Sequence, residues 1–85
     1  MRWVVYILEC GDNSLYTGIT TDLPTRLAAH RAGTGAKYTR GRGPLHLVFQ
    51  EQALDRSAAT RREREIKALD VRAKRRLIAT QLGLR

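Results

Sequence analysis

The sequence predicts an α+β fold: a small three-stranded, mainly antiparallel sheet flanked by helices, in the order ββαβαα. Three observations carry that prediction. Residues 3–10, Trp-Val-Val-Tyr-Ile-Leu-Glu-Cys, are β-branched, aromatic and almost continuously apolar, the pattern of a central strand buried on both faces. A Gly-Asp-Asn turn signal follows, leading into a second, more polar strand-like stretch. The C-terminal third carries apolar residues at helical spacing behind aspartate caps. With 85 residues, the chain is expected to form one domain, 1–85, around a single core system.

The turn decides how the first two strands pair. A three-residue loop, Gly11-Asp12-Asn13 with Asn13 left-handed, pairs Cys10 with Ser14, Leu8 with Tyr16 and Tyr6 with Gly18. Both tyrosines then lie on one face as diagonal neighbours; a two-residue loop would put them on opposite faces. The longer loop is the expected one. In that register Gly18 leaves room beside Tyr6, or lets a backbone or ligand come close.

Asp22-Leu23-Pro24 opens a helix, with Thr21 or Asp22 as cap and Pro24 in the first turn. Leu23 and Leu27 form its apolar side and Gly33 ends it. Arg26 and His30, spaced i, i+4, share a face. Residues 33–44 form a glycine-rich basic loop too poor in apolar residues to be core. The third strand, Leu45 to Gln52, alternates Leu45, Leu47 and Phe49. Asp55 or Ser57 then caps a helix running to about Leu69, and Asp70 caps another with Val71, Lys74, Leu77, Ile78 and Leu82 at helical spacing.

Sixteen Lys and Arg against eight Asp and Glu give a formal charge of +8, and Arg outnumbers Lys. Such a balance points to nucleic acid as a partner, since guanidinium groups suit bidentate phosphate contacts. The lone Cys10 excludes a disulfide framework or a Cys-based zinc site and fits a reducing, cytoplasmic setting. No apolar run is long enough to span a membrane, and Met1-Arg2 leads into the first strand without a signal-peptide pattern.

Several residues have both a functional and a bland reading. Tyr6 and Tyr16 can simply pack; to accept a proton, a tyrosine needs its pKa lowered by cations, which Arg26 and His30 would supply. Arg26 is placed to grip a phosphate and His30 to orient a tyrosine or a water. Ala59, Glu63 and Ile66 share one helical side, so Glu63 borders the apolar stripe. It pairs with Lys67 at i, i+4, or it is an inward carboxylate for a divalent cation. Lys37, Tyr38, Thr39, Arg40 and Arg42 read as a backbone-gripping loop with a stacking aromatic, and Lys67 joins them as a nucleic-acid contact. The bland alternative is a flexible basic loop.

In this order the residues resemble the GIY-YIG nuclease superfamily, in particular its short stand-alone bacterial subgroup. Val5-Tyr6-Ile7 and Tyr16-Thr17-Gly18 stand where that family has its two tripeptides. The helix with Arg26 and His30, Glu63 within residues 62–67, the Lys37-Tyr38-Thr39-Arg40 loop and Pro44 match the later motifs. The resemblance implies metal-dependent hydrolysis of a phosphodiester in DNA, with Mg²⁺ or Mn²⁺, in repair or processing. It implies Tyr16 as general base or water-orienting residue with Tyr6 beside it, Arg26 on the phosphate, His30 assisting the tyrosines and Glu63 on the metal. Two departures stand out. Val and Ile flank the first tyrosine, and the asparagine that larger members carry late in the chain has no counterpart, Asn13 being the only asparagine. Those enzymes also usually carry a separate DNA-recognition domain, so preference for a nucleic-acid structure, or a protein partner supplying specificity, is expected. The alternatives are a catalytically silent nucleic-acid-binding module and an RNA-associated protein.

Overall fold

The computed structural model of the protein describes residues 2–83. Its elements run β1 (Trp3–Glu9), β2 (Leu15–Thr20), α1 (Leu23–Arg31), β3 (His46–Ala53), α2 (Arg56–Ala68) and α3 (Val71–Gln81), with a 3₁₀ turn at Lys37–Thr39. The sheet is antiparallel throughout, in the order β2-β1-β3, so the most apolar strand is central. This is the expected α+β, ββαβαα arrangement.

The hairpin has the three-residue turn. Asn13 is the only non-glycine residue with positive φ (67°) among the described residues, and Cys10 N–H donates to the Ser14 carbonyl at 2.9 Å. Tyr6 therefore faces Gly18 and Leu8 faces Tyr16. All three helices start by one device: Asp22, Asp55 and Asp70 accept from the backbone N–H three residues on. Each such cap is worth about 1 kcal/mol, and it resolves the choice of cap for Asp22 and Asp55.

Period-two alternation in β1 splits the core. Val5 and Ile7 join Phe49, Ala59, Ile66 and Ile78 in an apolar cluster beneath α2 and α3. Tyr6 and Leu8 join Cys10 and Leu45 on the other face, with Tyr16, Leu23, Leu27 and Leu47 packed against them. The third strand departs from the predicted alternation. Ile7 pairs with Phe49 but Leu8 with Leu47, so a β-bulge takes up Val48. Leu47 and Phe49 consequently enter different clusters although they lie two residues apart. The run Leu47-Val48-Phe49, three apolar residues in succession, is the sequence's sign of this bulge.

Tertiary ties fix the ends of the hairpin. Arg75 on α3 pairs with Glu9 and donates to the Asn13 carbonyl at 2.8 Å. Among the described residues no helix is long and apolar enough to cross a membrane.

Candidate active site

The register of β1 and β2 brings the two tyrosine rings together, with centroids 6.3 Å apart, on the face covered by α1. Gly18 makes this possible. A Cβ there would stand 2.6 Å from Tyr6 Oη and 2.7 Å from Cζ, so the ring lies across a position that only glycine leaves open.

His30, in the last turn of α1, is turned inward and only 2 % exposed. Its Nε2 lies 2.8 Å from Tyr6 Oη and its Nδ1 2.9 Å from Thr39 Oγ1. The imidazole meets both tyrosines edge-on, at 5.9 Å from Tyr6 and 5.2 Å from Tyr16. Gly35 presses on its other side, where a Cβ would come within 2.6 Å of Nδ1.

Arg26, one turn earlier, is half-buried and stands beside both phenol oxygens, chiefly that of Tyr6, which secures its guanidinium charge. The sequence predicts that cations lower the tyrosine pKa. At Tyr6 burial wins. It raises the phenol above its ordinary value, Arg26 opposes it in part, and the charges of Tyr16 and Glu63 push it further up. Nor is His30 a second cation: burial, then Arg26, shifts it toward the neutral form. Tyr6 is therefore a neutral phenol at physiological pH. Tyr16 Oη also lies beside the Arg26 guanidinium, and its ring is half-buried at the site's open side.

The glycine-rich loop is not the free basic surface that composition suggests. Tyr38 stacks on Tyr16, centroids 5.9 Å apart and planes 30° apart, and the Arg42 guanidinium covers the Tyr38 ring at 4.4 Å. Arg42 also pairs with Asp12 in the hairpin turn at 2.5 Å. Gly11 N–H donates to the Arg42 carbonyl, and a side chain at Gly11 would collide with the Gly43 backbone. Thr39, expected on the nucleic-acid-gripping surface, is 2 % exposed and bonded to His30, so it is corrected to an interior residue. Lys37 and Arg40 are exposed and form no ion pair among the described residues. Gly35, Thr39 and the Asp12–Arg42 pair went unrecognised as site-shaping features because a polar loop residue gives no periodic signal of burial.

Glu63 projects from α2, which packs across the sheet against β2 and β1, and its side chain is 19 % exposed. It pairs with Lys67 at 3.3 Å, the ordinary i, i+4 contact, while its charge also reaches Tyr6. Lys67 is thus engaged by a carboxylate. Among the described residues no three His, Cys, Asp or Glu converge as a metal cage. One carboxylate paired with an exchangeable surface lysine still suits magnesium, which keeps most of its waters and needs few protein ligands. Asn13 stays in the turn, its carbonyl bonded to Arg75.

Residues 2–76 match the GIY-YIG catalytic domain family. A UPF0213 protein of Natronomonas pharaonis is 53% identical over 93% of this chain and 93% of its own length. The UPF0213 protein YhbQ of Escherichia coli is 48% identical over 95% and 81%. Among solved structures, a UPF0213 protein of Bacillus halodurans, determined by solution NMR, superimposes with a TM-score of 0.62 at 49% identity, covering 94% of this chain and 85% of the other. A solution NMR structure of an E. faecalis protein gives 0.69 at 36% identity, covering 100% and 91%.

Proposed function

This chain belongs to the GIY-YIG family, whose domain is catalytic, and from that premise we propose that it hydrolyses phosphodiester bonds in DNA, with a divalent metal and little sequence preference, in DNA repair or processing. The observation that carries the reading is the convergence of Tyr6, Tyr16, Arg26 and His30 in one patch, with the charge of Glu63 acting on it.

Each residue has a role in this reading. Tyr16, half-buried beside Arg26, orients the attacking water. Arg26 neutralises charge that develops on the phosphate, and its second contact with Tyr6 keeps the guanidinium in place. His30 pins Tyr6. Glu63 would hold Mg²⁺ or Mn²⁺, exchanging Lys67 for it; such an ion, when bound, supplies charge stabilisation for the leaving oxygen. Lys37 and Arg40 hold the backbone. Phosphate contacts position a strand without reading bases, which supports low sequence specificity.

One observation favours a second reading, a silent nucleic-acid-binding module: Glu63 already has a partner in Lys67. Labelled single-stranded, duplex, nicked, flapped and branched DNA, with RNA alongside, separates the two when incubated with Mg²⁺, Mn²⁺ or EDTA. The expected result is cutting that needs the metal and is lost in Glu63→Gln while binding persists. A Glu63→Gln protein that cut at the wild-type rate would sink the metal assignment, and binding without cutting throughout would leave the silent module.

A further inference from the structure

We propose that Thr39 is a positioning residue that sets the tautomer of His30, holding its proton on Nδ1 so that Nε2 is a bare acceptor for the Tyr6 hydroxyl. The inference follows from counting protons along one buried chain. Thr39 Oγ1 lies 3.0 Å from the Ala36 carbonyl and 2.9 Å from His30 Nδ1. A carbonyl can only accept, so the single hydroxyl proton of Thr39 goes to Ala36; otherwise two oxygens would face each other unbonded at 3.0 Å. The remaining contact of Thr39, to Nδ1, is then a bond in which Nδ1–H donates. A neutral imidazole with its proton on Nδ1 has a lone pair at Nε2, and there the Tyr6 O–H donates at 2.8 Å.

One contact opposes this order. The Ala36 N–H points at Nδ1 from 3.4 Å, which would call for a lone pair there. It is the longer of the two contacts to Nδ1, and the 2.9 Å approach of Thr39 Oγ1 outweighs it. Burial of His30, followed by the charge of Arg26, keeps the ring neutral, so one of its nitrogens must be bare.

The tautomer sorts the two tyrosines. The proton of Tyr6 is directed inward to His30, and its oxygen lone pairs face Arg26. Tyr6 is thereby an orienting group, leaving Tyr16 to engage water. Thr39 touches neither tyrosine oxygen and acts through His30. This catalytic consequence rests on the nuclease reading; the tautomer does not.

The test uses the full chain labelled with ¹⁵N-histidine and long-range proton–nitrogen correlation spectra at neutral pH. The chain has two histidines, and loss of one signal set in His46→Gln, an exposed position, assigns the other to His30. The expected wild-type pattern is a protonated Nδ1 and a bare Nε2. Thr39→Val should lose that pattern and cut more slowly, by up to about 100-fold, the cost of a small misplacement at the site. Thr39→Ser should keep both the pattern and most of the activity. A wild-type His30 protonated on Nε2 overturns the proposal, as does an unaltered pattern in folded Thr39→Val. If Thr39→Val does not fold, the wild-type and Thr39→Ser spectra decide. A chain that cuts nothing yet shows the Nδ1 proton, lost in Thr39→Val, would refute the nuclease reading and leave the Thr39 assignment standing.

Discussion

The two faces of the sheet draw on alternate residues of the same strand and hold different kinds of core. Beneath α2 and α3, Val5 and Ile7 meet Phe49, Ala59, Ile66 and Ile78, with no polar atom contributed by those side chains. Beneath α1, Tyr6 shares its interior with His30 and Thr39, all three 2 % exposed or less and joined by hydrogen bonds. Apolar packing asks for volume rather than direction. A buried hydrogen-bonded chain asks for direction and order, because each group left unmatched costs about 1–3 kcal/mol. One strand thus separates what holds the fold from what shapes the site, simply by alternation.

Substitutions on each face can break or sharpen that contrast. The largest stability effect is expected at Ile66, fully buried in the apolar face. Ile66→Ala should cost about 2–5 kcal/mol in urea unfolding, with cleavage per folded molecule unchanged at low temperature. A comparable loss of specific activity would show that the faces are not separable. Next comes Gly18→Ala, whose new methyl would meet Tyr6 Oη at 2.6 Å. Overpacking should cost about 1–3 kcal/mol. Displacing the phenol by as little as ~1 Å should reduce cleavage by on the order of 100-fold, an effect on chemistry out of proportion to stability.

The smallest effect is the dependence on pH. Burial lowers the His30 pKa, so below the ordinary imidazole value of about 6.5 the unfolded chain takes up a proton that folded His30 resists. Its contribution is full above that pH and declines in acid. Over roughly pH 7.5 to 5.5, the window around that value, the urea midpoint of wild type should fall further than that of His30→Gln. Equal declines would mean that His30 does not carry the acid limb.

The hairpin and the helix caps were readable from sequence because their causes are local. Asn13 tolerates positive φ, a three-residue loop sets the register, and an aspartate caps the N–H three residues on. The set Tyr6, Tyr16, Arg26 and His30 followed from that register together with helical periodicity. The loop from 33 to 44 was not readable in the same way. Thr39 meets His30 nine residues away, and Arg42 meets Asp12 thirty residues away, contacts that no periodic pattern announces. Polar loop residues are ordinarily solvated, so the sequence alone places Thr39 and Arg42 in a surface grip. The bulge in β3 lies between these cases: three successive apolar residues signal it, although simple alternation conceals it.

The clasp between Gly11-Asp12 and Arg42-Gly43 bears on how the protein can be engineered. A hairpin tip is normally the first place to graft an epitope, a fluorophore or a second domain, since exposed turns absorb insertions. Here the tip is fastened to the segment that lays Tyr38 over Tyr16, so lengthening it would pull on the cover of the proposed site. The exposed bend Leu54-Asp55 after β3, remote from that clasp in sequence, is the sounder place to add cargo, provided the aspartate cap of α2 is preserved.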